Sequence, residues 1–370
     1  MRTDRLTWLL APLHAAALAT AAKSFRDNPI LGSPALNRRG LHVARMRAAA
    51  AMAAARRRRL APLIDRDDIA ALDRDGFVLK PGYLPEAAFR ALQDEALALA
   101  APAREMIQGD AVTRRIALDV RTLARSPALR AFTEDPRWLG LVRYAGSSAL
   151  EPIAYVQTIF SRVVPNAIDP QTHLHADTFH PTVKAWFFLT DVAADDGPFT
   201  YVPGSHRLTP ERLEWERGVS IRARASADNE TQEGSFRVAE DKLSALGLPP
   251  PRAFAVSANT LIVADTMGFH KRGRSTRPSV RVELWAYGRR NPFLPWLGWD
   301  PAAFPWIKGR AVPLSWAAAD LGERLGLGRN PWRPAGTVTP TMPPRLDRFA
   351  RVAAEIGEPK RAGRLRQVRG

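Results

Sequence analysis

The sequence predicts a mainly β fold with flanking helices, a β-sandwich or jelly roll. From about residue 150, runs rich in β-branched and aromatic residues recur: IAYVQTIFSRVV, VKAWFFLTDV, NTLIVADTMGFHKRG and VRVELWAY. Clusters such as AADDGPF and VPGSHR separate them and supply turn chemistry. The helical patterns come mainly before the strand series, which is the order of a sandwich with helical flanking.

In chain order, residues 1–60 form a basic extension, 61–340 a folded core, and 341–370 a basic tail that is partly helical over RLDRFARVAAEI. The core opens with Asp65 or Asp67 as the cap of a short helix that Gly76 ends. Phe77–Leu79 reads as a strand. Pro85 suits the first turn of a longer helix that turns Phe89, Leu92 and Leu97 inward. After the strand series, Trp296, Trp299, Trp306, Trp316 and Trp332 cluster, four of them near prolines, as a cover over an apolar substrate, a contact with a lipid interface, or the ordinary packing of a C-terminal lid. No internal repeat of fixed period is present.

The chain has 370 residues, 46% hydrophobic and 25% charged, which places it among globular proteins large enough to bury a core. It contains no cysteine, so disulfides, thiolate zinc sites and a cysteine nucleophile are excluded. Histidine and carboxylate remain as metal ligands. The net charge of +17 is unevenly placed: residues 1–60 hold 12 Lys/Arg against 2 acids, and residues 341–370 hold 8 against 3. Basic ends beside a near-neutral core point to an anionic surface. Residues 6–22 mimic a secretory leader, but Pro12 and His14 interrupt a run already short for a membrane span. LHVARMRAAAAMAAARRRRL reads as a basic helix at an anionic lipid surface, with a plain packing helix as the other reading. The expectation is a cytoplasmic protein, peripheral to the inner face of the membrane.

Three of the seven histidines and an aspartate fall within HLHADTFH, residues 173–180. Residues i and i+2 of an extended segment share a face, so His173, His175 and Asp177 can line one side of it. Two histidines and one carboxylate on one face of an octahedron leave positions open, the arrangement of non-haem Fe(II) oxygenases. The third ligand must then come from downstream. His206, in the VPGSHR turn, suits a turn cap; His270, after an apolar strand, is the better candidate. Arg281 opens the alternating strand beyond it, and its planar fork can grip a carboxylate with two hydrogen bonds. Arg274 and Arg277 are its rivals. His180 suits a loop position at the mouth of such a site.

Three stretches in this order, DGFVLKPGYLPEAAFRAL, HADTFHPTVKAWFFLTDVAADDGPFTYVPGSH and GFHKRGRSTRPSVRVELWAY, resemble the phytanoyl-CoA dioxygenase (PhyH) family of Fe(II)/2-oxoglutarate-dependent oxygenases over roughly residues 70–290. The resemblance implies a double-stranded β-helix core. It implies iron on His175, Asp177 and His270, 2-oxoglutarate on Arg281, and further co-substrate contacts from Gln157 and Lys184. It also implies hydroxylation of an unactivated carbon in a small-molecule or lipid-like substrate, with succinate and CO2 as co-products. Iron halogenases of this fold carry a small residue in place of the carboxylate, so Asp177 favours hydroxylation. Nucleic-acid demethylases of the related type carry a second arginine six residues after the first, where this chain has Tyr287, so nucleic acid is not an expected partner. The alternative is a non-catalytic membrane-surface adaptor that retains the fold.

Overall fold

Alternation along β5 (Val183–Phe188) divides its side chains between two layers. Val183, Ala185 and Phe187 face one apolar cluster, and Trp186 and Phe188 face another. The same division runs through a computed structural model of the chain, which describes residues 11–349 apart from 165–166, 168, 299–303, 305–306 and 308. The strands flanking β5 are β1 (Phe77–Lys80), β2 (Ala101–Gln108), β3 (Ala111–Ala117), β4 (Ile153–Ser161), β6 (Phe199–Tyr201), β7 (Arg252–Ala253), β8 (Thr260–Asp265), β9 (His270–Arg272), β10 (Ser279–Gly288) and β11 (Arg333–Val338). Eight of them form one antiparallel sheet in the order β1-β8-β5-β10-β4-β3-β2-β11, and β7-β6-β9 form a small second sheet. Single bridges from His175 to His270 and from Val192 to Val256 extend the small sheet's side. This is a jelly-roll core with helices on one flank, as expected.

One face of the large sheet is covered by helices. Phe89 and Leu92 from the helix Glu86–Ala98, Phe132 from Pro127–Glu134, and Trp138 and Leu141 from Pro136–Ala145 pack on Phe187, Val263 and Leu284. Leu97, expected inside, packs only partly buried at the edge of this cluster. The other face packs Tyr155, Trp186, Phe188 and Trp285 against Phe199 and Tyr201 of the small sheet and Phe254 just after β7. On β10 this alternation sends Val282, Leu284 and Ala286 to the helices, and Arg281 and Trp285 to the cavity between the sheets. The short helix Arg66–Asp75 ends at Gly76, whose φ of +85° belongs to the left-handed region that glycine adopts at least cost.

Two parts of the chain differ from the sequence reading. The hairpin β2–β3 and the strand β11 add three strands to the sheet edge. The Pro/Trp-rich segment therefore ends in the main sheet through β11 and not wholly in a lid. Residues 11–60 are packed into the molecule. The helix Leu41–Leu60 buries Met46 and Ala49 against Phe179 and Met267, and Leu60 against the helical layer. Three of its six arginines are used internally. Arg45 donates to the carbonyls of Leu18, Thr20 and Ala22. Arg56 donates to those of Ser147, Pro292 and Leu294, and Arg57 pairs with Asp265 at 2.8 Å. No helix among the described residues is long and apolar enough to cross a membrane. Trp299, Trp306 and residues 1–10 and 350–370 lie outside the described residues.

Candidate active site

His175 and His270 meet because their backbones bridge. His175 N donates to His270 O at 3.0 Å, and His270 N donates to His175 O at 2.9 Å. Their rings lie 4.6 Å apart, centroid to centroid. The ligand segment is tied down on both sides: Ala176 N donates to Phe236 O, Asp177 N to Thr266 O, and Ser235 Oγ to Ala176 O. Asp177 Oδ1 then lies 3.7 Å from His175 Nε2 and 3.6 Å from His270 Nε2. One ligand atom from each of the three residues falls within 4.8 Å of the other two.

The ring orientations follow from the Nδ1 partners. His175 Nδ1 lies 2.8 Å from His173 O, and His270 Nδ1 lies 3.0 Å from Gly268 O. A carbonyl only accepts, so each Nδ1 carries the proton and each Nε2 presents a lone pair to the shared point. Burial pushes the His175 imidazole down to about 3 and His270 down to about 4, which keeps both rings neutral. Burial alone would raise the Asp177 carboxyl, but the Lys184 ammonium, 2.6 Å from Oδ2, outweighs it and holds the group well below the usual carboxylate range. Two lone pairs and a carboxylate oxygen thus converge with no proton among them, and His270 Nε2 is buried without a hydrogen-bond partner. That donor set fits a divalent cation, and its two-histidine, one-carboxylate composition fits iron. Gly268 is required beside it because a Cβ there would lie 1.8 Å from Tyr201 Oη.

The candidate ligands open into a cavity of about 260 Å³ that is also lined by Arg281, Gln157, Lys184 and Arg115. Lys184 Nζ sits 2.6 Å from Asp177 Oδ2, so its nearest partner is the outer oxygen of the candidate ligand. Arg281 is buried, donates to Gly197 O at 2.6 Å, and brings Nε to 2.9 Å from Glu283 Oε2. Burial lowers the Arg281 pKa and Glu283 works against that shift. Gln157 lies in register with Glu283 on one side and Arg115 on the other. It donates to Glu283 Oε1 at 2.7 Å and accepts from Arg115 Nε at 2.8 Å.

The structure brings His175, Asp177, His270, Arg281, Gln157 and Lys184 to one cavity. His173 is exposed and contributes only its carbonyl. His180, expected at a mouth, is buried beside Phe179. His206 leaves Nδ1 without a partner, so it does not cap its turn through that atom. Arg277 pairs with Asp195 and Asp196 near the surface, and Arg274 is exposed. Two residues went unseen in the sequence. Lys23, from the basic extension, donates to the Asp177 carbonyl at 2.6 Å, and burial followed by Arg289 lowers its ammonium to about 8. Arg115 belongs to the hairpin whose signal was the Gly109–Asp110 pair between alternating runs.

Residues 72–236 match the family described as phytanoyl-CoA dioxygenase (PhyH). His270 and Arg281 lie beyond that segment. No curated protein matches the chain. The solved structures to which the chain is distantly similar include the following three. The first is the non-heme alpha ketoglutarate dependent carbocyclase SnoK from nogalamycin biosynthesis, with 21% identity over 61% of this chain and 83% of that one, at a TM-score of 0.38. The second is HygX from Streptomyces hygroscopicus with nickel and 2-oxoglutarate bound, with 19% identity over 60% and 87%, at 0.39. The third is the non-heme alpha ketoglutarate dependent epimerase SnoN from nogalamycin biosynthesis, with 20% identity over 75% and 96%, at 0.41. The segment 72–236 thus resembles the phytanoyl-CoA dioxygenase family, and it supplies His175 and Asp177 to a donor set that fits iron.

Proposed function

We propose that the chain hydroxylates an unactivated carbon of a small-molecule or lipid-like substrate. His175, Asp177 and His270 hold the iron, and Arg281 holds the far carboxylate of 2-oxoglutarate. The observation that carries this reading is the convergence of two neutral Nε2 atoms and one carboxylate oxygen on a single point beside a cavity. Bound iron and 2-oxoglutarate supply the oxidising power, drawn from dioxygen as the co-substrate loses CO2 and becomes succinate. The chain's own groups hold, orient and shield. The carbonyls of His173 and Gly268 fix the two rings, Lys184 steadies the free oxygen of Asp177, and Gly197 and Glu283 aim Arg281. Trp186, Phe199 and Trp285 wall the cavity and keep water from the reacting carbon. Asp177 in the ligand position supports hydroxylation over halogenation.

The test is Fe(II)-dependent consumption of 2-oxoglutarate with succinate formed in equal amount. Arg281→Lys keeps the charge beside buried Glu283 but loses the planar fork. It is expected to raise the KM for 2-oxoglutarate at least ~10-fold. An unchanged KM would remove Arg281 from the co-substrate site. An adaptor without turnover is the competing reading; a set of buried acceptors left without donors or a cation is costly to maintain, which favours the enzyme.

Contact with an anionic membrane is proposed for the arginines the fold leaves exposed, Arg38, Arg39, Arg47, Arg58 and Arg59. Arg58→Glu with Arg59→Glu is expected to weaken sedimentation with phosphatidylserine vesicles about tenfold or more. Equal sedimentation of wild type and variant would discard it.

A further inference from the structure

Five cations line the cavity beside the candidate ligands: Arg115, Lys184, Lys271, Arg272 and Arg281. Four of them have a carboxylate in contact. Lys184 meets Asp177 at 2.6 Å, Arg272 meets Asp169 at 2.7 Å, Arg281 meets Glu283 at 2.9 Å, and Lys271 pairs with Glu240. Arg115 has none among the described residues. Its one hydrogen bond there runs from Nε to the neutral Gln157, and neither terminal amino group has a hydrogen-bond partner among the described residues.

The side chain is nonetheless held firmly. Its guanidinium lies 4.1 Å from the centroid of the Trp285 ring, 4.5 Å from that of Trp332 and 5.1 Å from that of Tyr155. Trp332 directly precedes β11, and Trp316, on the helix Ala311–Arg324, stacks on Tyr155 at 6.4 Å. A cation removed from most of its water, ringed by aromatic faces and with no carboxylate in contact among the described residues is an arrangement that an incoming anion completes. Its two terminal amino groups match the two oxygens of a carboxylate or phosphate.

Position separates this group from the co-substrate anchor. Arg281 lies on β10, next to the strand of Lys184. Arg115 lies on β3, two strand positions from Arg281 and thus about 10 Å across the sheet, with Glu283 and Gln157 between them. Trp316 and Trp332 lie outside the segment that matches the family, so the cover over Arg115 is not part of that match. We infer that Arg115 anchors an anionic group, carboxylate or phosphate, at the end of the primary substrate remote from the carbon that reacts. The inference rests on the oxygenase reading for what happens at that carbon, and on the cavity alone for the anion.

The test uses the full chain loaded anaerobically with Fe(II) and 2-oxoglutarate. Acetate and inorganic phosphate are titrated separately, with tryptophan fluorescence and calorimetry as readouts and chloride at matched ionic strength as the control. Trp285 and Trp332 report directly on Arg115. At least one anion is expected to saturate in the wild type, and Arg115→Met to raise its Kd at least ~10-fold, while Arg115→Lys gives an intermediate value. Methionine keeps an unbranched apolar stem between the rings, and circular dichroism confirms the fold. A response to phosphate alone assigns a phosphorylated substrate, and a response to acetate alone assigns a carboxylate. Equal titrations of wild type and Arg115→Met, or no saturation in either, overturn the inference. So does a loss of 2-oxoglutarate affinity in Arg115→Met as large as that in Arg281→Lys, which would assign Arg115 to the co-substrate. If the wild type binds no 2-oxoglutarate yet loses its anion response on Arg115→Met, the anion site stands and the oxygenase reading fails.

Discussion

Asp177→Ala is expected to abolish 2-oxoglutarate turnover, by more than the roughly 10- to 100-fold that loss of a partner behind a metal ligand costs. Asp177 is the only carboxylate among the three candidate ligands, and its Oδ1 faces both Nε2 atoms. Without it, two neutral imidazoles face the cation alone, and Lys184 loses its counter-charge beside the vacated position. Both changes disfavour a divalent ion. The fold is expected to persist, because the segment is held by backbone hydrogen bonds from Ala176 and Asp177 that alanine retains. Iron content, succinate formation and a thermal melt separate these effects. Wild-type succinate formation in the variant would sink the ligand assignment.

Arg56→Met is expected to cost about 3 kcal/mol or more of stability. The guanidinium is almost wholly buried, at 1% exposure, and donates to the carbonyls of Ser147, Pro292 and Leu294 and to Ser147 Oγ. Methionine fills much of the volume but donates nothing, so three carbonyls lose this partner. Ser147 has a φ of +49°, a conformation unusual outside glycine, and Arg56 grips it twice. Arg58, two residues on, is exposed, and Arg58→Met is expected to stay within about 0.5 kcal/mol. Urea midpoints compare the two. Equal midpoints would mean that Arg56 does not hold the helix to the core.

The difference between neighbouring arginines shows where sequence reasoning stopped. A helical pattern over residues 41–60 was legible, because alanine and arginine both favour helix and their spacing is regular. Which arginines face inward was not. A buried arginine is stable only where carbonyls from distant segments meet it, and Ser147 and Leu294 are known as partners only once the chain is folded. Lys23 was unreadable for the same reason, since its partner is a backbone carbonyl 154 positions away. Arg115 was missed differently: its hairpin signal was local, but the aromatic faces around its guanidinium come from β4, β10 and the segment before β11.

The sequence by itself determined the strand series, the Gly76 end of the helix Arg66–Asp75, and the donor types around residue 175. These are local properties: side-chain alternation, turn residues, and a histidine and an aspartate two positions apart. Tertiary structure decided which distant groups complete each local one. It paired His270 with His175 through a backbone bridge, set Glu283 between Arg281 and Gln157, and left Arg115 with no carboxylate in contact among the described residues. The physical reason is that a charge or lone pair is satisfied by whatever lies within a few ångströms, and sheet register, not sequence distance, decides what that is.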